Sequence, residues 1–225
     1  MDFTTWNPVY QLILDDFGFD RGADERARDV LASLATQFDR DRLDWDGKTV
    51  AICGAAPTLA DDLDRLDDAD SIVAASTAAD VVREAGYDLD LMVTDVDKNP
   101  DTAATLTASG TPVAVAAHGD NIPVIREWVP KFDADNVLAT TQAAPVGPVV
   151  NWGGFTDGDR AAFIADELGA DELMFAGWNF DDPTVGPAKA RKLAWAERLL
   201  YWLEQRRDEP FSILDGRRDE IDPLP

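Results

Sequence analysis

Apolar residues recur along this chain with two different periods. Trp6, Val9, Tyr10, Ile13, Leu14 and Phe17 are spaced by three and four, the spacing of one helix face. Ala27, Val30, Leu31, Leu34 and Phe38 repeat that spacing over roughly 24–39, with Gly18 and Gly22 punctuating between the two segments. From residue 49 the pattern changes. Short β-prone runs at 49–53, 71–75, 89–93, 112–117, 136–140 and 172–176 alternate with helical stretches near 58–66, 77–85, 100–109, 121–129, 157–168 and 187–206. Such alternation predicts an α/β fold: a Rossmann-like, mainly parallel sheet with helices on both faces and right-handed crossovers. The domain organisation that follows is an N-terminal helical unit (1–44), an α/β catalytic domain (45–206) and a polar C-terminal tail (207–225), wrapped on the surface or partly loose.

Composition narrows the setting. With 45% hydrophobic residues, 7 Trp and 10 Phe, the 225-residue chain can bury a sizeable core and is no disordered acidic tail. Against 20 Lys and Arg stand 44 Asp and Glu, a formal charge of -24. Lysine is scarce: Lys48, Lys98, Lys131, Lys189 and Lys192. A well-cored protein this acidic suits a high-salt cytoplasm, where at about 1 M salt the Debye length of about 3 Å screens most self-repulsion. The charge argues against sequence-independent binding to nucleic acid or anionic membranes, which needs a basic surface. Cys53, the lone cysteine, sits in an apolar run and reads as a buried structural thiol. Residues 1–20 carry Asp2, Asp15 and Asp16 and no basic n-region or long apolar stretch, so a cytoplasmic protein is expected.

Acid spacing alone carries little chemistry. Nine of the 44 acids are Glu, and 35 Asp in 225 positions should give about five D-x-D pairs by chance. The chain has eight, so position must separate them. In open α/β sheets, ligands bind outside the carboxyl ends of the strands. Asp39/Asp41, Asp44/Asp46, Asp62/Asp64 and Asp68/Asp70 lie on helical or linking segments, and Asp88/Asp90 and Asp133/Asp135 precede strands. Asp95/Asp97 and Asp157/Asp159 remain. In a continuing strand, residues i and i+2 point the same way, so Asp95 and Asp97 are expected to converge on one ion. Hard carboxylate oxygens in a chain with one His and one Cys suit Mg²⁺.

Other chemistry gathers at the same predicted edge. H-G-D-N (118–121) offers Asp120 as a third acid and His118 either as a phosphate contact or as a structural strand-end histidine. G-A-A-P-T-L (54–59) is a weak phosphate-loop pattern, with Gly54, Pro57 and Thr58 as its candidates. In G-G-F-T-D-G-D-R (153–160), Thr156 or Asp157 can cap the next helix, and Arg160 can add a fixed charge for phosphate. Lys189 and Lys192 open the last long helix as phosphate ligands or as surface balance.

The succession G-x-x-P-[ST]-L, T-D-x-D, H-G-D-N, T-T-Q, G-G-F-T-D-G-D-R-A and K-x-x-K-L-x-W-A-E resembles the archaeal 6-hydroxymethyl-7,8-dihydropterin pyrophosphokinase family over about residues 48–203. Ala56 stands where a second glycine is expected, and Lys98-Asn99 where a shorter Asp-Gly-like turn is expected. The resemblance implies a fold related to the thiamine pyrophosphokinase catalytic domain. It also implies Mg²⁺-dependent transfer of diphosphate from ATP to the pterin hydroxymethyl group, releasing AMP, towards folate or methanopterin. Asp95, Asp97 and Asp120 would then hold the metal, with His118 and Asp120 as proton-transfer candidates. Trp152, Phe155 or Trp178 would stack on the pterin, Asp157 or Asp159 would bind its amino-pyrimidine edge, and Asn121 is grouped with them. Two competing readings are a metal-dependent nucleotide-sugar glycosyltransferase and a non-catalytic nucleotide- or pterin-binding module. Association with a second copy of the chain stays open.

Overall fold

The six apolar runs pair side by side into one sheet in a computed structural model that describes residues 1–225. The strands are β1 (Thr49–Cys53), β2 (Ser71–Ala75), β3 (Leu91–Thr94), β4 (Val113–Ala117), β5 (Val137–Thr141) and β6 (Glu172–Ala176). Their order is β5-β4-β3-β2-β1-β6, and every pairing is parallel. The helices are α1 (Phe3–Phe17), α2 (Arg21–Leu34), α3 (Leu59–Asp62), α4 (Ala78–Glu84), α5 (Pro100–Ala108), α6 (Ile122–Trp128), α7 (Asp157–Glu167) and α8 (Pro187–Arg207). The Rossmann-like α/β expectation holds, with no antiparallel strand in the sheet.

Connection direction decides which face each helix covers. From β1 to β5 the chain steps the same way each time, so right-handed crossovers put α3 to α6 on one face. The connection from β5 to β6 runs back across four strands and places α7 on the opposite face, against β1, β2 and β3, with α8 beside it. The strands are buried on both faces, as in a parallel sheet covered by crossovers, and β2, β4 and β5 are buried along their whole length.

The N-terminal helical unit is divided between the two cores. Trp6, Tyr10 and Ile13 of α1 join the α7–α8 side, whereas Ala27 and Leu31 of α2 join the α3–α6 side. The break between them is built locally. Gly18, at φ 70°, ends α1 in the left-handed conformation, and the Asp20 carboxylate caps α2 by accepting from the Gly22 N–H at 2.9 Å. Phe19 is thereby left exposed between the helices.

Two expectations need correction. The second helix stops at Leu34, where Ala35 turns extended, rather than continuing to 39. Phe38 fits the helical spacing but is buried on the opposite face, in the core shared by α1, α7 and α8. The tail is not loose: Phe211, Leu214 and Ile221 enter that same core. Arg218 Nε and Nη2 donate to Glu204 at 2.8 and 2.7 Å, and the same carboxylate accepts the Phe211 N–H at 2.6 Å. No helix is long and apolar enough to cross a membrane.

Candidate active site

The carboxyl ends of the strands open into one cavity of about 340 Å³. Its walls come from the turns after β1, β2, β3, β4 and β6, from the α1–α2 junction, and from the starts of α7 and α8. The turns after β1 and β6 touch. A Cβ on Gly54 would meet the Gly177 carbonyl at 2.6 Å, so only glycine fits there. Trp178 Nε1 donates to the Ile52 carbonyl at 2.9 Å, fixing its ring beside that turn. The Ala56 N–H also donates to the Gly177 carbonyl, at 3.0 Å, so the turn closes without a second glycine.

The acid pair is made by a turn and not by a pleat. β3 ends at Thr94, whose hydroxyl accepts the Val96 N–H at 2.9 Å. Val96, fully buried, takes φ 69°, a left-handed conformation that a β-branched residue rarely adopts. This strained turn folds Asp97 back on Asp95, and the Asp97 N–H donates to Asp95 Oδ1 at 3.2 Å. Burial and the neighbouring Asp95 push the Asp97 carboxyl up to about 6. For Asp95, burial opposes ionisation, but hydrogen bonds from His118 and Asp97 outweigh it and hold the group below the usual carboxylate range.

Asn121 aligns this turn with the next. Its Nδ2 donates to the Asp95 carbonyl at 3.0 Å and to the Ala116 carbonyl at 2.7 Å, and its Oδ1 accepts the His118 N–H at 3.0 Å. Asn121 is buried and fully engaged, so it positions the site and does not line it, contrary to its grouping with pterin ligands. His118 Nε2 lies 3.5 Å from Asp95 Oδ2, and its Nδ1 faces the Asp120 N–H at 3.4 Å. With Nδ1 as the acceptor, the ring proton sits on Nε2 and faces Asp95. Asp120 is exposed in the cavity wall, and its carboxylate accepts no hydrogen bond.

No three His, Cys, Asp or Glu side chains come close enough to hold an ion, so the expected three-acid cluster reduces to the Asp95–Asp97 pair. The acid that feels this pair is Asp157: burial and the charges of Asp95 and Asp97 raise it well above the usual range, against Arg160. Mutually repelling hard carboxylates at one cavity wall fit Mg²⁺, which takes one or two carboxylates and fills its shell with water and phosphate.

Cations line the same cavity. Arg160 is buried with no salt bridge; its Nη1 donates to the Thr141 carbonyl at 3.1 Å, and its Nε has no partner. A buried guanidinium that is not ion-paired is expensive unless an anion approaches it. Lys98, Lys189 and Lys192 line the same cavity, three of the chain's five lysines. Burial and then the charge of Lys98 lower the Lys189 pKa, against the pull of Asp157.

Gly54, Arg160, Lys189, Lys192, Phe155, Asp157 and Trp178 line the cavity as the sequence suggests. Four other candidates lie elsewhere. Pro57 and Thr58 are exposed outside the lining, because α3 is a single four-residue turn that does not aim them inward. Trp152 is packed into the core, with Arg40 over its ring at 4.7 Å. Asp159 is consumed by a capping box, taking the Thr156 N–H and hydroxyl at the start of α7.

Among the cavity residues that escaped the sequence reading, two stand out. Asp24, only 4% exposed, accepts from the Tyr10 hydroxyl at 2.6 Å, Gln142 Nε2 at 2.7 Å and the Gly119 N–H at 2.8 Å. Ser76 ends β2 at φ 51°, and its buried hydroxyl has no partner. The G-A-D-E-R and S-T-A stretches around these residues carry no motif; only the fold brings them here.

Fold and site together define a Rossmann-like α/β protein with an acid-and-lysine cavity at the carboxyl edge of its sheet. Comparison then fixes the family. The family model described as 6-hydroxymethylpterin diphosphokinase MptE-like matches residues 25–184, and the chain belongs to that family. A 6-hydroxymethyl-7,8-dihydropterin pyrophosphokinase from Methanothermobacter thermautotrophicus is 36% identical, over 92% of this chain and 97% of its own length. Proteins of the same name from Pyrococcus furiosus and Methanocaldococcus jannaschii are 33% and 29% identical, over 91% and 94% of this chain and 95% and 99% of their own lengths.

Proposed function

We propose that this chain is a pterin diphosphokinase that moves the diphosphate of ATP onto the hydroxymethyl group of 6-hydroxymethyl-7,8-dihydropterin and releases AMP. The observation that carries the reading is near full-length similarity to proteins bearing that name, joined to a cavity that holds paired carboxylates together with an unpaired arginine and three lysines.

The transfer needs the pterin hydroxyl in line with the β-phosphorus of ATP and positive charge on the oxygens where charge develops. Asp95 and Asp97 would hold Mg²⁺, which when bound neutralises and orients the phosphates. Arg160, Lys98, Lys189 and Lys192 bind the remaining phosphate oxygens. His118 directs its Nε2 proton towards Asp95 and so acts as a donor in this tautomer, which leaves the free carboxylate of Asp120 to take the proton of the attacking hydroxyl. The strained Val96 turn keeps both acids convergent before substrate arrives, so less ordering is needed at reaction.

Mass spectrometry of a reaction containing ATP, Mg²⁺ and the hydroxymethyldihydropterin tests this. The pterin should gain one diphosphate group. A pterin recovered unchanged would sink the proposal.

A further inference from the structure

β3 divides the cavity into two wings, because β4 and β5 lie on one side of it and β2, β1 and β6 on the other. The two wings differ in chemistry. Over β4 and β5 the wall is made by Phe19, Asp20, Asp24, Asp120 and Gln142, which bring three carboxylates, an amide and an aromatic ring against one cation, Arg160, held on the Thr141 carbonyl at the end of β5. Over β2, β1 and β6 it is made by small residues, Gly54, Ala55, Ala75, Ser76 and Gly177, with Trp178 beside them. Two carboxylates border that side: Asp182, turned onto the Thr184 N–H and hydroxyl at 2.9 and 2.6 Å, and Asp157, whose neighbour Gly158 packs against the Trp178 ring. Lys98 belongs to this wing through its neighbour: Asn99 Nδ2 donates to the Ser76 carbonyl at 3.2 Å and to Asp80 Oδ2 at 2.7 Å.

The two substrates differ in the same sense. ATP is a polyanion, whereas the pterin is uncharged and flat and presents an amine and a ring N–H on its pyrimidine edge. Carboxylates repel the first and accept hydrogen bonds from the second. We propose, on the basis of the function above, that the pterin occupies the β4–β5 wing and the nucleotide the β2–β1–β6 wing, so that the diphosphate passes over Asp95 and Asp97. Asp24 is the residue that reads the pterin. Its Oδ2 is saturated by Tyr10 and Gln142, but its Oδ1 accepts only the Gly119 N–H and keeps one position for the pterin amine. Phe19, 37% exposed and 5.0 Å from the Phe17 ring in a stacked pair, supplies a flat wall for the bicycle. On the other side, the partnerless Ser76 hydroxyl donates to the nucleotide. The α1–α2 segment is thereby part of the substrate site and not only a packing element.

Calorimetric titration separates this assignment from the functional reading. Oxidised 6-hydroxymethylpterin and a non-hydrolysable ATP analogue with Mg²⁺ are each titrated into wild type, Asp24→Asn, Phe19→Ala and Ser76→Ala. Asp24→Asn and Phe19→Ala should weaken pterin binding about tenfold and change nucleotide binding less than about twofold, as expected for loss of one buried contact. Ser76→Ala should do the reverse. Phe19 is exposed, so its variant keeps the test valid if Asp24→Asn loosens α2. The opposite pattern, equal losses for both ligands, or no loss for either overturns the assignment while wild type still binds both. Wild-type protein that binds no pterin overturns the functional reading and this assignment with it.

Discussion

Asn121 Nδ2 holds both the Asp95 carbonyl, at 3.0 Å, and the Ala116 carbonyl, at 2.7 Å, while its Oδ1 accepts the His118 N–H. One buried amide therefore sets the distance between the acid turn after β3 and the histidine turn after β4. Asn121→Ala should leave the Asp95 and Ala116 carbonyls and the His118 N–H each without a partner, costing about 1–3 kcal/mol of stability. It should also lower kcat more than it raises KM for ATP, because the acids lose their register while the lysines remain. Urea unfolding and steady-state kinetics check both; an unchanged kcat would show that the register does not matter.

With the metal role proposed for it, the Asp95–Asp97 pair would exchange stability for function. In metal-free protein, Asp97→Asn should raise the melting temperature at about pH 8, since it removes one of two facing charges, and should lower turnover by about 10²–10³-fold. A lower melting temperature with normal turnover would contradict this.

The same pair makes a signed pH prediction. The folded pKa of Asp97 lies near 6, above its ordinary 3.8, so the folded state binds this proton more tightly. Its contribution favours folding at low pH and is lost as pH rises from about 4 through about 6. Asp95 is shifted the other way, and its contribution is lost only as pH falls below its ordinary range. Mg²⁺ bound as proposed would have to compete with the Asp97 proton, so its stabilisation of the fold should be small near pH 5 and larger near pH 7.5. Differential scanning fluorimetry with and without Mg²⁺ measures it, and a pH-independent increment would remove Asp97 from the ligand set.

Cys53 ends β1 fully buried, and burial with the charge of Asp62 pushes its thiol up to about 12. Native protein should therefore not react with a disulfide reagent near pH 8, and urea-unfolded protein should react with one equivalent. Rapid labelling of the native chain would contradict its burial.

The strands were readable because a sheet buried on both faces demands continuous apolar runs, and five of the six predicted runs match the observed strands within a residue at each end. The third starts two residues late, at Leu91, since Asp90 instead accepts the Ile72 N–H from outside the strand. The site was readable where a residue follows a strand within two positions, as with Asp95, His118 and Trp178. It was not readable where a residue arrives from far along the chain: Asp24 reaches Gln142 from a helix 118 positions away. Local roles were also hidden. Asp159 and Asp157 share a spacing, but only the turn at Thr156 decides that the first caps α7 while the second faces the cavity.

The nucleotide product tests the central claim most directly. In a reaction of ATP, Mg²⁺ and 6-hydroxymethyl-7,8-dihydropterin at high salt, attack at the β-phosphorus predicts that AMP appears in step with pterin consumed. ADP as the product, or nucleotide turnover indifferent to the pterin, would contradict the account.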